Sequence, residues 1–298
     1  MKLFRLSTYR LFRPDFFVHH KKASDPFKVM VMSDLHFSYQ VTNQKLQAII
    51  KQVKTLAPDY ILMPGDLIDT LDMVDKNSER QRLLNFLKKL GQQAKVILSV
   101  GNHDMYRKPT EGQTGWQYEV ASKLFDEIRT IDNVFLLDNQ VYEDENIYCL
   151  GYTQSPKYYR ADKGIVEDMP VLLSELESLP EKYLTHLPEK KLKFALIHSP
   201  VYLNQPEVKY LLREFDYFIS GHMHNGVMPP VLDELINSSR GLISPTKKWA
   251  PENSRNTLRT YADKLLVVGA LTTFHECIKP FNKLNAFFPS YMALMEFT

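Results

Sequence analysis

Aspartate, histidine and asparagine recur in five short clusters along this chain: Asp34-Leu35-His36, Gly65-Asp66-Leu67-Ile68-Asp69, Gly101-Asn102-His103-Asp104, His198, and Gly221-His222-Met223-His224. Carboxylate oxygen and imidazole nitrogen are donors for hard and borderline divalent cations, whereas soft sites need thiolates. The chain has two cysteines, Cys149 and Cys277, and neither adjoins the other or a histidine. A zinc-thiolate site and a disulfide framework are therefore both disfavoured. Asp34, His36, Asp66, Asn102, His198, His222 and His224 form a mixed oxygen and nitrogen set. It is too large for one tetrahedral ion and suits two ions that share a carboxylate. Two cations about 3.5–4 Å apart can clamp the attacking and leaving oxygens of an in-line phosphoryl displacement.

The elements that must position these donors are apolar runs that read as β-strands. Val29-Met30-Val31-Met32 precedes the first cluster, Tyr60-Ile61-Leu62-Met63 the second, and Val96-Ile97-Leu98-Ser99-Val100 the third. Phe194-Ala195-Leu196-Ile197 leads into His198, and Tyr217-Phe218-Ile219-Ser220 into Gly221. In an open α/β sheet the strand ends that carry ligands open on one edge, so donors distant in sequence converge there. A lone Asp-x-His, Gly-Asp or Gly-Asn is ordinarily turn or capping chemistry. Turn chemistry does not explain why His36, His103, His198, His222 and His224, five of the nine histidines, all follow strands.

Helical periodicity fills the intervals. Leu46, Ile49, Ile50, Val53 and Leu56 predict a helix capped at Thr42 or Asn43 and ended before Pro58. Leu83, Leu84, Leu87 and Leu90 predict a second with Gly91 as its stop, and Val120, Leu124, Phe125 and Ile128 a third. The alternation from Phe27 to about Thr130 argues an α/β fold with a largely parallel sheet. Val134-Phe135-Leu136-Leu137 and Asn146-Ile147-Tyr148-Cys149-Leu150 read as a hairpin opening a second sheet or an antiparallel edge. Residues 152–191, polar and rich in Tyr, Lys, Glu and Pro, read as an insertion able to overhang the site, with Tyr158, Tyr159 and Arg160 on an exposed loop.

A chain of 298 residues, 44% hydrophobic and 24% charged, is expected to form a sizeable soluble core. A net charge of +2 makes a nucleic-acid partner unlikely, and no apolar run reaches the length of a membrane span. The domain is expected to occupy residues 27–298, behind a basic-aromatic arm at residues 1–26. In residues 1–22, Lys2, Arg5, Arg10, Arg13, Lys21 and Lys22 interleave with Phe4, Tyr9, Phe12, Phe16 and Phe17, and Arg10, Arg13 and Asp15 interrupt any signal-peptide core. The arm has two readings: one packed on its own domain, and one in peripheral contact with an anionic membrane surface. The expected location is cytoplasmic, with the second reading placing the protein at the inner face of a membrane.

The ordered series Asp34-x-His36, Gly65-Asp66-x-x-Asp69, Gly101-Asn102-His103-Asp104, His198 and Gly221-His222-x-His224 resembles the calcineurin-like metallophosphoesterase superfamily, in particular its small bacterial members. The resemblance implies a four-layer α-β-β-α sandwich, two mixed sheets facing each other with helices outside. It implies one ion held by Asp34, His36, Asp66 and His224, a second by Asp66, Asn102, His198 and His222, and Asp66 bridging. Hydrolysis would proceed by in-line attack of a hydroxide shared by the ions on a phosphomonoester or phosphodiester. His103, oriented by Asp69, would protonate the leaving oxygen or hold the phosphoryl group. Manganese is the first expectation for the two divalent ions, with iron, zinc and magnesium also admitted by the donor set.

Thr70-Leu71 after Asp69 and Val100 before Gly101 depart from the arginines of the protein Ser/Thr phosphatases. His103 stands where the lipid-A precursor hydrolases tend to carry arginine. The expected substrate is a small phosphorylated molecule, a nucleotide or lipid-linked phosphoester among the candidates, with Arg107 and Lys108 near enough in sequence to grip a phosphate. The competing functions are a metal-dependent nuclease and a non-catalytic scaffold for protein partners.

Overall fold

The computed structural model describes residues 4–11, 26–109, 115–159, 167–229, 232, 240–244, 249–255, 264–273, 283, 288 and 290–297. In chain order its principal elements are β1 (Phe4–Leu11), β2 (Phe27–Val31), α1 (Asn43–Leu56), β3 (Tyr60–Pro64), α2 (Asn77–Gly91), β4 (Lys95–Ser99), α3 (Tyr118–Arg129), β5 (Val134–Leu137), β6 (Gln140–Glu143), β7 (Ile147–Tyr152), α4 (Met169–Glu177), β8 (Leu192–Ile197), α5 (Pro206–Leu211), β9 (Tyr217–Ser220), β10 (Leu265–Val267) and β11 (Ser290–Phe297).

The strands make a six-stranded sheet in the order β1-β11-β2-β3-β4-β5 and a five-stranded sheet in the order β10-β9-β8-β7-β6. In the first, β2 to β5 run parallel and β11 is antiparallel to β2; in the second, β7 to β10 run parallel and β6 is antiparallel to β7. Both sheets are mixed, as expected.

Side chains that alternate along each strand build three cores. Val29, Val31, Leu62, Ile97, Phe194, Leu196, Ile219 and Met295 meet between the sheets. Met30, Ile61, Met63, Val96 and Leu98 turn the other way, onto Ile49 and Val53 of α1, Leu83, Phe86 and Leu90 of α2, and Leu124 and Ile128 of α3. On the far side of the second sheet, Ala195, Ile197 and Val267 pack against Leu172 and Leu176 of α4 and Val208 of α5. The result is the expected α-β-β-α layering. It also explains why the central strands are continuously apolar: both of their faces are covered.

Local signals set the first helix. Thr42 Oγ1 accepts from Lys45 N at 3.2 Å, and Ala57 closes the helix in the left-handed conformation just before Pro58. Gly91 behaves differently from the expected stop. It is the last residue of α2, which closes through the right-handed Gln92, and a Cβ on Gly91 would stand 2.6 Å from Asp132 O.

Four other expectations are corrected. The hairpin does not join Val134–Leu137 to 146–150, because β5 stays in the first sheet beside β4 and the chain crosses at Asp138-Asn139 to the true hairpin of β6 and β7. Residues 153–191 are not an insertion: β7 and β8 are parallel neighbours, so this stretch is the crossover they require, and α4 is part of the outer helix layer. Tyr158 and Tyr159 are fully buried within it, while Arg160 lies outside the described residues. Finally, the domain does not begin at residue 27: Phe4–Leu11 pairs with β11 as the edge of the first sheet, with Phe4 and Leu6 against the helix-side core, in line with the reading of an arm packed on its own domain. Residues 12–25, His275 and Cys277 lie outside the described residues. Among the described residues, no helix is long and apolar enough to cross a membrane.

Candidate metal centre

The five clusters follow the carboxyl ends of β2, β3, β4, β8 and β9, and the loops they form are tied to one another past the strands. Asp34 N donates to Gly65 O at 3.3 Å, His36 N to Asp66 O at 3.1 Å, and Gly221 N to His198 O at 3.0 Å. Close approach at this edge depends on glycines, Gly65, Gly101 and Gly221 among them. Gly65 has φ +87°, and a Cβ there would stand 2.7 Å from both Gly101 Cα and His198 Nδ1. A Cβ on Gly101 would stand 2.3 Å from Asp66 N and Asp66 Oδ1. Five of the seven expected ligands, Asp34, His36, Asp66, His222 and His224, have positive φ, between 44° and 65°. Each such residue costs of order 1–3 kcal/mol and persists because packing over-determines it, a pattern that marks functional sites.

Six of the seven expected donors are brought together and buried. Asp34, His36, Asp66 and His224 present donor atoms within 4.8 Å of one another, and so do Asp66, His198 and His222. The two groups share Asp66. In the first, His36 Nε2 is 3.1 Å from His224 Nε2 and 3.7 Å from Asp66 Oδ2, and His224 Nε2 is 3.4 Å from Asp34 Oδ1. In the second, His198 Nε2 is 3.0 Å from Asp66 Oδ2. Asn102, on the loop that carries Gly101 and His103, has an Oδ1 that is buried and makes no hydrogen bond.

The donor chemistry fits a metal. His224 Nδ1 lies 2.6 Å from Thr273 O, and His198 Nδ1 lies 2.7 Å from Pro64 O. A carbonyl can only accept, so the proton sits on Nδ1 in each ring and the Nε2 lone pair is left for the cluster interior. Metal–imidazole bonds of about 2.0–2.1 Å put neighbouring nitrogens of one coordination shell at about 3 Å, the separation His36 and His224 show.

Electrostatics point the same way. Burial alone would raise both carboxyls, yet contacts with His224 and His198 hold Asp34 below the usual carboxylate value, and His198 holds Asp66 well below it. Burial opposes a charged His198, but Asp66 pushes it up to about 9, and Asp34 likewise raises His224. Burial lowers His36 to about 4 and also lowers His222. Both shifts lean these two imidazoles toward positive charge beside the carboxylates, the charge that cations would otherwise supply.

His103 and Asp69 sit beside this cluster. The His103 ring meets His36 edge-on at 4.6 Å between centroids, and its side chain is 15% exposed where those of His36 and Asp69 are 0–1%. It is therefore the more exposed of the two rings. Its contact with Asp69 runs through the main chain: His103 Nδ1 is 2.6 Å from the main-chain oxygen of Asp69, while the carboxylate Oδ1 stands 3.7 Å from His103 and 3.6 Å from His36 Nδ1. Arg107 is not a free phosphate grip, because Asp75 binds it bidentately at 2.6 and 3.0 Å.

Two buried carboxylates escaped the sequence reading. Asp104 accepts from Gly101 N at 2.8 Å and Ile68 N at 3.0 Å, clamping the loops after β3 and β4, and burial together with Asp66 pushes it up to about 7. The fixed place of Asp104 after Asn102-His103 was an available signal. Glu167, from the crossover before α4, places Oε1 3.5 Å from His222 Nε2, and no spacing in the sequence announces it.

Comparison with known proteins agrees with this geometry. A transmembrane protein with metallophosphoesterase domain from Danio rerio is 25% identical over 215 residues, covering 68% of this chain and 41% of that protein. An uncharacterized metallophosphoesterase of Campylobacter jejuni is 24% identical over 206 residues, covering 69% of this chain and 46% of its own length. The chain thus spans less than half the length of these relatives. Among solved structures, a dimetal phosphatase from Danio rerio aligns with a TM-score of 0.42 at 14% identity, over 83% of this chain and 88% of that one. Residues 27–226 match the calcineurin-like phosphoesterase family, and with the donor set of that stretch in place the chain belongs to this family.

Proposed function

We propose that this protein is a binuclear metal-dependent hydrolase of a small phosphomonoester or phosphodiester. The observation that carries the reading is the pair of buried donor groups joined through Asp66, with one accessible imidazole, His103, at their rim. Asp34, His36, Asp66 and His224 would hold one ion, and Asp66, Asn102, His198 and His222 the other. Bound cations of this kind act as Lewis acids on phosphoryl oxygen and bring the pKa of water toward neutrality.

The chain's own groups perform the rest. Thr273 O and Pro64 O fix the rings of His224 and His198, so no reorganisation is needed when substrate arrives. Asp69 O accepts from His103 Nδ1 and leaves Nε2 directed away from that anchor. When the ring is protonated, Nε2–H can donate to the departing oxygen, a role worth about 10²–10⁴-fold in rate. His103 N–H donates to Asp66 Oδ1 at 2.8 Å, so the acid and the shared carboxylate are held in one frame.

The test is elemental analysis of protein purified without chelator, followed by hydrolysis of bis-p-nitrophenyl phosphate and p-nitrophenyl phosphate with added Mn²⁺. Two ions per chain and metal-dependent release of nitrophenol support the proposal, and the ratio of the two rates assigns diester or monoester preference. A chain that binds no divalent metal and hydrolyses neither compound refutes it. Manganese is proposed as the working ion; iron, zinc and magnesium satisfy the same donors.

A further inference from the structure

Among the described residues, Glu167 is an acidic side chain that the crossover between β7 and β8 delivers to the metal centre, and it is almost entirely buried. A buried carboxylate draws on nearby charges and donors. One atom facing it is His222 Nε2, 3.5 Å from Oε1. Glu167 is not itself part of either donor group, since it is absent from the sets of atoms lying within 4.8 Å of one another.

Its frame is rigid. Tyr202 OH donates to Glu167 O at 3.3 Å, the next residue's N–H donates to Tyr158 O at 2.9 Å, and Asp168 Oδ1 caps α4 through Val171 N at 3.2 Å. The buried ring of Tyr159, from the same crossover, lies 5.7 Å from that of His222. On the opposite side, the main chain of His222 is pinned by its N–H to Asp34 at 3.1 Å. His222 is thus held at its backbone by one group of donors and at its ring by the crossover.

We propose that Glu167 is a positioning residue of the metal centre: it engages His222 Nε2, orients the imidazole, and thereby sets the affinity of the Asp66–His198–His222 group for its ion. An imidazole has two nitrogens, so a ring whose Nε2 is turned to Glu167 keeps Nδ1 for the ion. The inference rests on the metal-binding reading of the site and not on hydrolysis.

The experiment is calorimetric titration of chelator-stripped protein with Mn²⁺, for the wild type, Glu167→Gln, Glu167→Asp, His222→Ala and the double variant. Outer carboxylate partners of ligating histidines typically contribute about 10–100-fold in metal affinity. Glu167→Gln should weaken one of two binding events by that factor and leave the other unchanged, and Glu167→Asp should recover part of the loss. In the His222→Ala background, Glu167→Gln should add nothing, as expected for a residue that acts through the histidine. Equal affinities in wild type and Glu167→Gln, an equal loss at both events, or an additive loss in the double variant would each overturn the assignment. A wild type that binds no Mn²⁺ would overturn it together with the metal reading, whereas two-ion binding without hydrolysis would leave it standing and remove only the proposed activity.

Discussion

Substitution of Gly101 by alanine should eject the shared carboxylate from the metal centre. The new Cβ would stand 2.3 Å from Asp66 N, 2.3 Å from Asp66 Oδ1 and 3.0 Å from Asp66 Cγ, where contacts shorter than 3.4 Å are already tight. Relief therefore requires a shift of about 1 Å, because a backbone nitrogen cannot swing aside as the end of a long side chain can. Rotating the carboxylate alone is no escape, since Oδ1 accepts from His103 N and Oδ2 lies 3.0 Å from His198. A 1 Å misplacement of a reacting group costs about 10²-fold in rate, and overpacking typically costs about 1–3 kcal/mol of stability. Bound metal per chain, the rate on bis-p-nitrophenyl phosphate and the urea midpoint would be measured together. Gly91→Ala is the control: its Cβ would also meet backbone, 2.6 Å from Asp132 O, but at the end of α2, beside the amino ends of β4 and β5 and away from the carboxyl ends that carry the donors. Gly101→Ala should lose metal and activity, and Gly91→Ala only stability. A Gly101→Ala protein that keeps both ions and its rate would refute the argument that this edge is too crowded for a methyl group.

Three further outcomes follow from the geometry. His103→Ala should reduce turnover by about 10²–10⁴-fold while metal content is kept, measured by steady-state kinetics and elemental analysis. Asp144 accepts from Lys95 Nζ at 2.7 Å and from the hydroxyls of Tyr60 and Tyr142 at 2.8 Å. Burial opposes its charge, but Lys95 and these donors hold it at about 2, below the ordinary 3.8. Its stabilisation is therefore complete above pH 3.8 and lost as pH falls toward 2; Asp144→Asn should lower stability at pH 7 by about 1–2 kcal/mol after solvent screening, with the difference from wild type vanishing near pH 2 in urea titrations. Val227, just beyond the last histidine, holds φ +48°, which a β-branched residue adopts only under strain. Val227→Asn should raise the unfolding free energy by about 1 kcal/mol, and an unchanged or lower melting temperature would contradict the strain.

The donors were legible because each follows an uninterrupted apolar run. A strand covered on both faces leaves its polar residues at its ends, and parallel strands put those ends on one edge. That reasoning recovers Asp34, Asp66, Asn102, His198, His222 and His224 with their burial, and the helix faces of Leu46, Ile49 and Val53. It failed where a segment's role is set by its partner. Val134–Leu137 and 146–150 read as the two arms of one hairpin, yet they belong to different sheets. Tyr158 and Tyr159 read as an exposed loop because nothing local marks the crossover that buries them.

Sequence by itself determined the elements, the face each buries and the chemistry of the donor set, because periodicity and residue type are local quantities. Tertiary structure alone decided the left-handed backbone at five of the expected ligands, the use of the Asp69 carbonyl at His103, and the approach of Glu167 to His222. Those arrangements arise when distant strand ends close on one another. They depend on distances that no stretch of chain holds until both sheets have packed.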